Sequence, residues 1–269
     1  MAPPGQDPFA YALSSNSAWA GYKGHQNPEF FSRLASGQSP DILWLGCSDS
    51  RCPETTILGL QPGDVFVHRN IANIVSPTDI NTAAVVEYAV AHLKVKHVVL
   101  CGHSGCGGAL ASLSDARVGG VLDTWLAPLK ALRAAHAEEL DSFALAGLDE
   151  YVNEDDDCND AECNERRALR LAELNVQAGV AVLMANPVVC DAIEQRGLQV
   201  HGTFFDIGSG RIRDLGFGTT ITGKGATNGA KAAEGVGGGG GGGSGRGVVR
   251  GHHAQLVFRG DGPVGMQAF

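Results

Sequence analysis

The chain has 269 residues, 43% of them hydrophobic and 18% charged, enough apolar content to bury a full core in one or two domains. Its formal charge is −9, from 20 Lys and Arg against 29 Asp and Glu, which argues against nucleic acid as a partner. No apolar run approaches the roughly 18–20 residues that a membrane-spanning helix needs, so no membrane partner is expected.

Residues 1–36 are expected to form a helical arm, with one or two amphipathic helices over 9–36. Phe9, Leu13, Trp19, Phe30, Phe31 and Leu34 are its apolar contacts. The arm stands outside the pattern that follows and must pack on the body or on a second subunit. From residue 41 short β-rich runs alternate with helical stretches. Ile42-Leu43-Trp44-Leu45, Val65-Phe66-Val67, His97-Val98-Val99-Leu100 and the run from Gln199 to Phe205 are the strand candidates. Thr82 to Val90 reads as a helix with Asn81 as its N-cap. The longest helical pattern runs from Glu165 to Met184 and is closed by Asn186-Pro187. Near-continuous apolar strands alternating with helices imply an α/β fold, a mostly parallel central sheet flanked by helices, over residues 37–215.

The acidic stretch from Asp149 to Glu165, with Cys158 and Cys163, reads as a surface excursion carrying loop thiols. Half of the 38 glycines fall in residues 216–269, seven of them consecutive from Gly237 to Gly243, which predicts a flexible C-terminal tail. Within it Gln255-Leu256-Val257-Phe258 is a candidate edge strand. The first residues lack the basic and apolar stretches of a secretory signal, and no arginine precedes Arg33. Together with an odd count of 7 cysteines, this predicts a reduced cytoplasmic compartment in which thiols serve metal binding or catalysis.

Two loops hold the residues that carry chemistry, and each begins where an apolar strand ends. They are Leu45-Gly46-Cys47-Ser48-Asp49-Ser50-Arg51 and Leu100-Cys101-Gly102-His103-Ser104-Gly105-Cys106-Gly107-Gly108. In an open α/β sheet ligands gather at the carboxyl ends of strands, which brings both loops to one crevice. Cys47, His103 and Cys106 make a Cys2His set, a tetrahedral zinc arrangement with one position left for water or an acid. Cys-Ser-Asp-Ser-Arg followed by His-Ser-Gly-Cys-Gly-Gly, 56 residues from first cysteine to histidine, resembles the β-class carbonic anhydrases. The resemblance extends over about residues 30–215, through Gln38-Ser-Pro, the run at 61–73 that contains Val-His-Arg-Asn-Ile-Ala-Asn, Glu87-Tyr88-Ala89-Val90 and His201-Gly202.

That resemblance implies one zinc ion per chain on Cys47, His103 and Cys106, and an Asp49–Arg51 dyad. It implies Gln38 and Gly102 as bicarbonate contacts, and an apolar pocket from Phe66, Ile71 and Tyr88. It also implies a homodimer, often doubled to a tetramer, with the arm wrapped over the partner. The expected reaction is reversible hydration of CO2 to bicarbonate and a proton. Zinc held by two thiolates and an imidazole is formally neutral and acidifies its water less than a three-histidine site, where about 7 is typical. The zinc-hydroxide that attacks CO2 is therefore expected mainly above neutrality. Asp49, kept ionised by Arg51, would accept a hydrogen bond from it. If Arg51 releases Asp49, the carboxylate can instead become the fourth ligand and close the site, and an open site is expected at about pH 8. A bicarbonate site that closes some members uses a tryptophan, an arginine and a tyrosine. Trp44 and Arg69 match the first two and Phe205 replaces the third.

Other readings are a hydrolase for CS2 or COS on the same fold, an inactive homologue, and a redox protein using the paired Cys47/Cys52, Cys101/Cys106 and Cys158/Cys163. The blander reading of Cys52 and Cys101 is packing beside the ligands. His25, His68, His92, His97, His136 and His201 are candidate proton shuttles, and His252-His253 an exposed pair without a ligand role.

Overall fold

The computed structural model describes residues 2–146, 161–219, 254–257 and 265–268. Its centre is a five-stranded sheet of β1 (Ile42–Cys47), β2 (Val65–Asn70), β3 (His97–His103), β4 (Gln199–Asp206) and β5 (Arg211–Gly218). The order is β2-β1-β3-β4-β5, with β1 to β4 parallel and β5 antiparallel to β4. The helices are α1 (Pro8–Gln26), α2 (Phe30–Ala35), α3 (Glu54–Ile57), α4 (Ile80–Glu87), α5 (Gly107–Ala111), α6 (Val121–Trp125), α7 (Ala127–Ala135), α8 (Ala137–Leu145), α9 (Ala161–Met184) and α10 (Pro187–Arg196). The α/β expectation holds, and the parallel strands have their carboxyl ends on one side.

Alternation along β1 divides the core. Leu43 and Leu45 join Val98 and Leu100 of β3 and Val176, Val180 and Leu183 of α9 in the main cluster. Trp44 points to the opposite face, with Cys52, Cys101 and Phe205, over which Ile57 and Leu58 pack. Leu100 is wholly buried at the centre of the main cluster. Truncation there removes a packed isobutyl group that the rigid α9 cannot collapse onto. Leu100→Ala is expected to lower the unfolding free energy by about 2–5 kcal/mol in denaturant melts.

Several boundaries differ from the sequence reading. The helix expected over 82–90 starts at Ile80, because Asp79 rather than Asn81 caps it by accepting from the N–H groups of Asn81 and Thr82. It runs into a π-helical turn at Tyr88–His92. α9 begins at Ala161 instead of Glu165, so Cys163 lies in its first turn, buried and disulfide-bonded, not a loop thiol. Cys158 lies outside the described residues. β5 crosses the expected boundary at 215 because Phe217 pairs with Gly202 and packs on the main cluster. Ala254–Val257 forms a strand, but it pairs with Gly265–Ala268 in a two-stranded sheet and not with the central one. The polyglycine run and His252-His253 lie outside the described residues.

The arm forms both helices. Asp7 caps α1 by accepting from the Ala10 N–H, and Pro8 fits the first helical position. Neither helix buries a residue, and Phe9 stays 70% exposed. Trp19, Phe30 and Phe31 pack edge-on against one another, and Lys23 tethers the arm by donating to Gln61 Oε1 at 2.7 Å.

Candidate functional site

The sheet register assembles the site. Cys47 ends β1 and His103 ends the neighbouring β3, with Gly46 level with Cys101, so both side chains emerge at the same edge. Cys106 follows as the residue that caps α5. The ligand atoms of Cys47, His103 and Cys106, all buried, lie within 4.8 Å of one another. Ser104 locks the loop after His103: its Oγ donates to Asp206 Oδ1 at 3.1 Å and accepts from the Ile207 N–H at 2.9 Å.

The donor set fits a zinc ion. His103 Nδ1 is engaged by the Ser104 carbonyl at 2.9 Å, which fixes the ring, while the buried Nε2 has no hydrogen-bond partner and sits beside the Cys47 and Cys106 sulfurs. An orphaned imidazole nitrogen between two thiols is costly unless a cation fills the space. Ligand atoms sharing one zinc at about 2.0–2.3 Å fall well inside the observed span.

Without metal the three groups form an ion pair. The Cys47 thiol is lowered to about 4, first by a hydrogen bond with Cys106, which with His103 outweighs burial. Burial pulls His103 down, but the Cys47 and Cys52 sulfurs beside it overcome that and raise the ring to about 10. The Cys47 thiolate alongside and burial push Cys106 far above the ordinary thiol range. At pH 8 this leaves Cys47 ionised while His103 and Cys106 keep their protons. Metal uptake must expel the protons that these groups hold, so protons should leave on binding and apparent affinity should fall as pH drops. Titration calorimetry in buffers of different ionisation enthalpy reads their number directly.

Arg51 holds Asp49 through three hydrogen bonds. Arg51 Nε donates to Oδ1 at 2.9 Å and Nη2 to Oδ2 at 2.7 Å, and the Arg51 backbone N–H donates to Oδ1 at 2.9 Å. The same Nη2 reaches the Gly105 carbonyl at 2.9 Å, which ties the two loops together. These bonds hold the carboxyl well below the usual carboxylate range. Oδ2 lies 4.0 Å from His103 Nε2, directly beside the metal ligands.

The other expected site residues separate. Ile71 follows β2 in a short 3-10 turn and is 43% exposed. Phe66 and Tyr88 stack on each other, ring centroids 5.7 Å apart, but Phe66 pairs with Leu43. Four residues of strand, about 13 Å, separate that level from Cys47. Gln38 sits in the exposed segment before β1. Gly102 is buried under α9, where a Cβ would lie 2.8 Å from Val176 Cγ2, so its observed role is close packing of helix on sheet.

Behind the ligands is a small cavity lined by Trp44, Cys52, Ile57, Cys101 and Phe205. Arg69 is turned elsewhere: its Nε donates to the Cys47 carbonyl at 2.7 Å, its Nη2 donates to the Asp49 carbonyl, and Glu54 lies 3.7 Å from its guanidinium. His97 and His201 pair with each other at 3.1 Å near the amino ends of their strands, and His136 pairs with Glu139. The sequence reading gave no role to Glu54, Trp125 or Asn175. The last two contact the Ile71–Asn73 turn through hydrogen bonds across 54 and 103 residues, a separation that leaves no local signal.

The family model described as Carbonic anhydrase matches residues 42–212. A carbonic anhydrase of Emericella nidulans is 43% identical over 204 residues, 76% of this chain and 81% of that one. Among solved structures, a tetrameric β-carbonic anhydrase of Sordaria macrospora is 66% identical, with a TM-score of 0.72 over 80% of this chain and all of that one. The β-carbonic anhydrase CafA of Aspergillus fumigatus is 49% identical, with a TM-score of 0.69 over 78% of this chain and 91% of that one. Fold, loop motifs and relatives agree, and the chain belongs to the β-class carbonic anhydrases.

Proposed function

We propose that this protein catalyses the reversible hydration of CO2 with one zinc ion on Cys47, His103 and Cys106. The observation that carries the reading is the arginine-held carboxylate of Asp49 beside a buried Cys2His donor set. When bound, zinc supplies a Lewis acid that makes a coordinated water acidic enough to act as a nucleophile. Asp49 works in its ionised form. With both oxygens accepting from Arg51, it keeps a free lone pair for a water at the metal position and orients that water's remaining pair toward carbon. While Arg51 keeps that grip, Asp49 stays off the metal, which favours the open state. Ile71 offers CO2 an apolar wall.

The unit that works is an oligomer of this chain. Phe66 and Tyr88 lie too far from Cys47 to wall the same protomer's site, so a second copy must contribute them if they contact CO2. The exposed aromatic face of α1 and α2, with the 83% exposed Ile80, gives that copy apolar surface to cover. Stopped-flow CO2 hydration by the zinc-loaded protein, scanned from about pH 6.5 to 9, tests the activity, and the rate should rise with pH. A protein with one zinc per chain and no activity anywhere in that range would sink the proposal.

A further inference from the structure

The groups that hold Cys47 continue past the metal ligands. Its Sγ accepts a hydrogen bond from the Ala72 backbone N–H at 3.3 Å. That N–H belongs to the peptide joining Ile71 to Ala72. The oxygen of the same peptide, the Ile71 carbonyl, accepts from the Trp125 indole Nε1–H at 2.9 Å. The next peptide is held as well: the buried Asn175 donates from Nδ2 to the Ala72 carbonyl at 2.9 Å. Asn70 closes the exit, donating to the Ile74 carbonyl and accepting from the Ile74 N–H, each at 2.8 Å.

This turn does not hold itself. Ala72 and Asn73 have φ of +63° and +45°, a region that non-glycine residues avoid unless their surroundings impose it. Gly108 makes the approach possible, since a Cβ there would lie 2.8 Å from that of Ala72. An amide that accepts at its oxygen becomes a better donor at its nitrogen, because both bonds polarise one conjugated group. The Ile71–Ala72 peptide therefore links the Trp125 indole to the sulfur of Cys47, and Asn175 keeps that peptide in position.

We propose that Trp125 and Asn175 are positioning residues for the metal thiolate, acting on Cys47 through the Ile71–Asn73 turn. The proposal rests on the reading of Cys47 as a metal ligand. Donation from Ala72 draws electron density from sulfur, so a bound metal sees a weaker, better-aimed thiolate. Trp125→Phe keeps a ring and deletes only the donor. Asn175→Leu keeps the volume and deletes the hold on Ala72.

Cobalt(II) substitution supplies the readout, since thiolate-to-cobalt charge-transfer absorption reports the electron density on sulfur. Both variants, loaded with one cobalt per chain, are expected to absorb at longer wavelength than the parent. Both should also surrender zinc to a chelator with affinity lowered about tenfold. A merely structural role would lower the melting temperature and leave the band in place. An unmoved band in folded Trp125→Phe overturns the proposal, and should that variant fail to fold, an unmoved band in Asn175→Leu does the same. Failure of the underlying reading looks different. Because Cys106 contributes a thiolate band of its own, a Cys47→Ser variant whose charge-transfer intensity per cobalt equals the parent's shows that Cys47 is not a ligand, and the proposal falls with it.

Discussion

Cys106→Ser is expected to abolish catalysis, with kcat/KM for CO2 hydration falling by at least about a thousandfold, because several kcal/mol of transition-state stabilisation come from the metal. Cys47 ends a buried strand and is bonded by Ala72, His103 is fixed by Ser104, and Cys106 stands at the start of the five-residue α5 with the Gly108 and Ala109 backbone N–H groups directed at its sulfur. Serine keeps its size and offers an alcohol far harder to ionise than a thiol. The variant should fold, because its neighbours Ala109, Leu126 and Leu129 still pack. Zinc per chain after dialysis against a chelator, read beside the rate, separates loss of metal from loss of structure. A variant that keeps zinc and activity would remove Cys106 from the ligand set.

Asp49→Asn is expected to lower kcat/KM by about 10²-fold or more with zinc content unchanged, the usual weight of a positioned proton-handling group. The amide keeps the shape but carries no charge, and its NH2 faces Arg51 as donor against donor. Arg51→Ala asks a sharper question. Without the guanidinium the Asp49 carboxyl should climb back toward the ordinary carboxylate value of about 4. It would still be ionised across pH 6.5–9, so charge is kept while aim is lost. A comparable loss of rate in Arg51→Ala, with no new step in the pH profile between 6.5 and 9, would show that Arg51 supplies position rather than charge, aiming Asp49 at the water and keeping it off the metal. Arg51→Lys should recover little of that loss, because an ammonium cannot make the paired bonds to both oxygens while also reaching Gly105. Unimpaired activity in Arg51→Ala would dismiss the dyad.

Much of this protein was legible in its sequence because the relevant signals are local. A strand that ends in cysteine and another that ends in histidine, in a parallel sheet, must deliver both side chains to the same edge. The register of β1 with β3 bears that out. The dyad was legible only through the family resemblance, and the structure shows Asp49 and Arg51, two residues apart, bonding within one turn. Boundaries were less so, since Asp79 and Asn81 are both competent caps and only the path of the chain selects the first. β5 escaped notice because Arg211, Arg213 and Asp214 break its apolar pattern, and as an edge strand it is largely exposed.

Tertiary structure alone decided the rest. Residue types and spacing determined the donor set and the α/β alternation, which depend on short stretches of chain with strong local preferences, while the acid–arginine pair came from the family resemblance. The left-handed Ile71–Asn73 turn, the separation of Phe66 and Tyr88 from Cys47, and the hold of Trp125 and Asn175 on the thiolate depend on which distant segments meet. Such contacts form when burial brings α6 and α9 against the end of the sheet, and no pattern within a single segment encodes them.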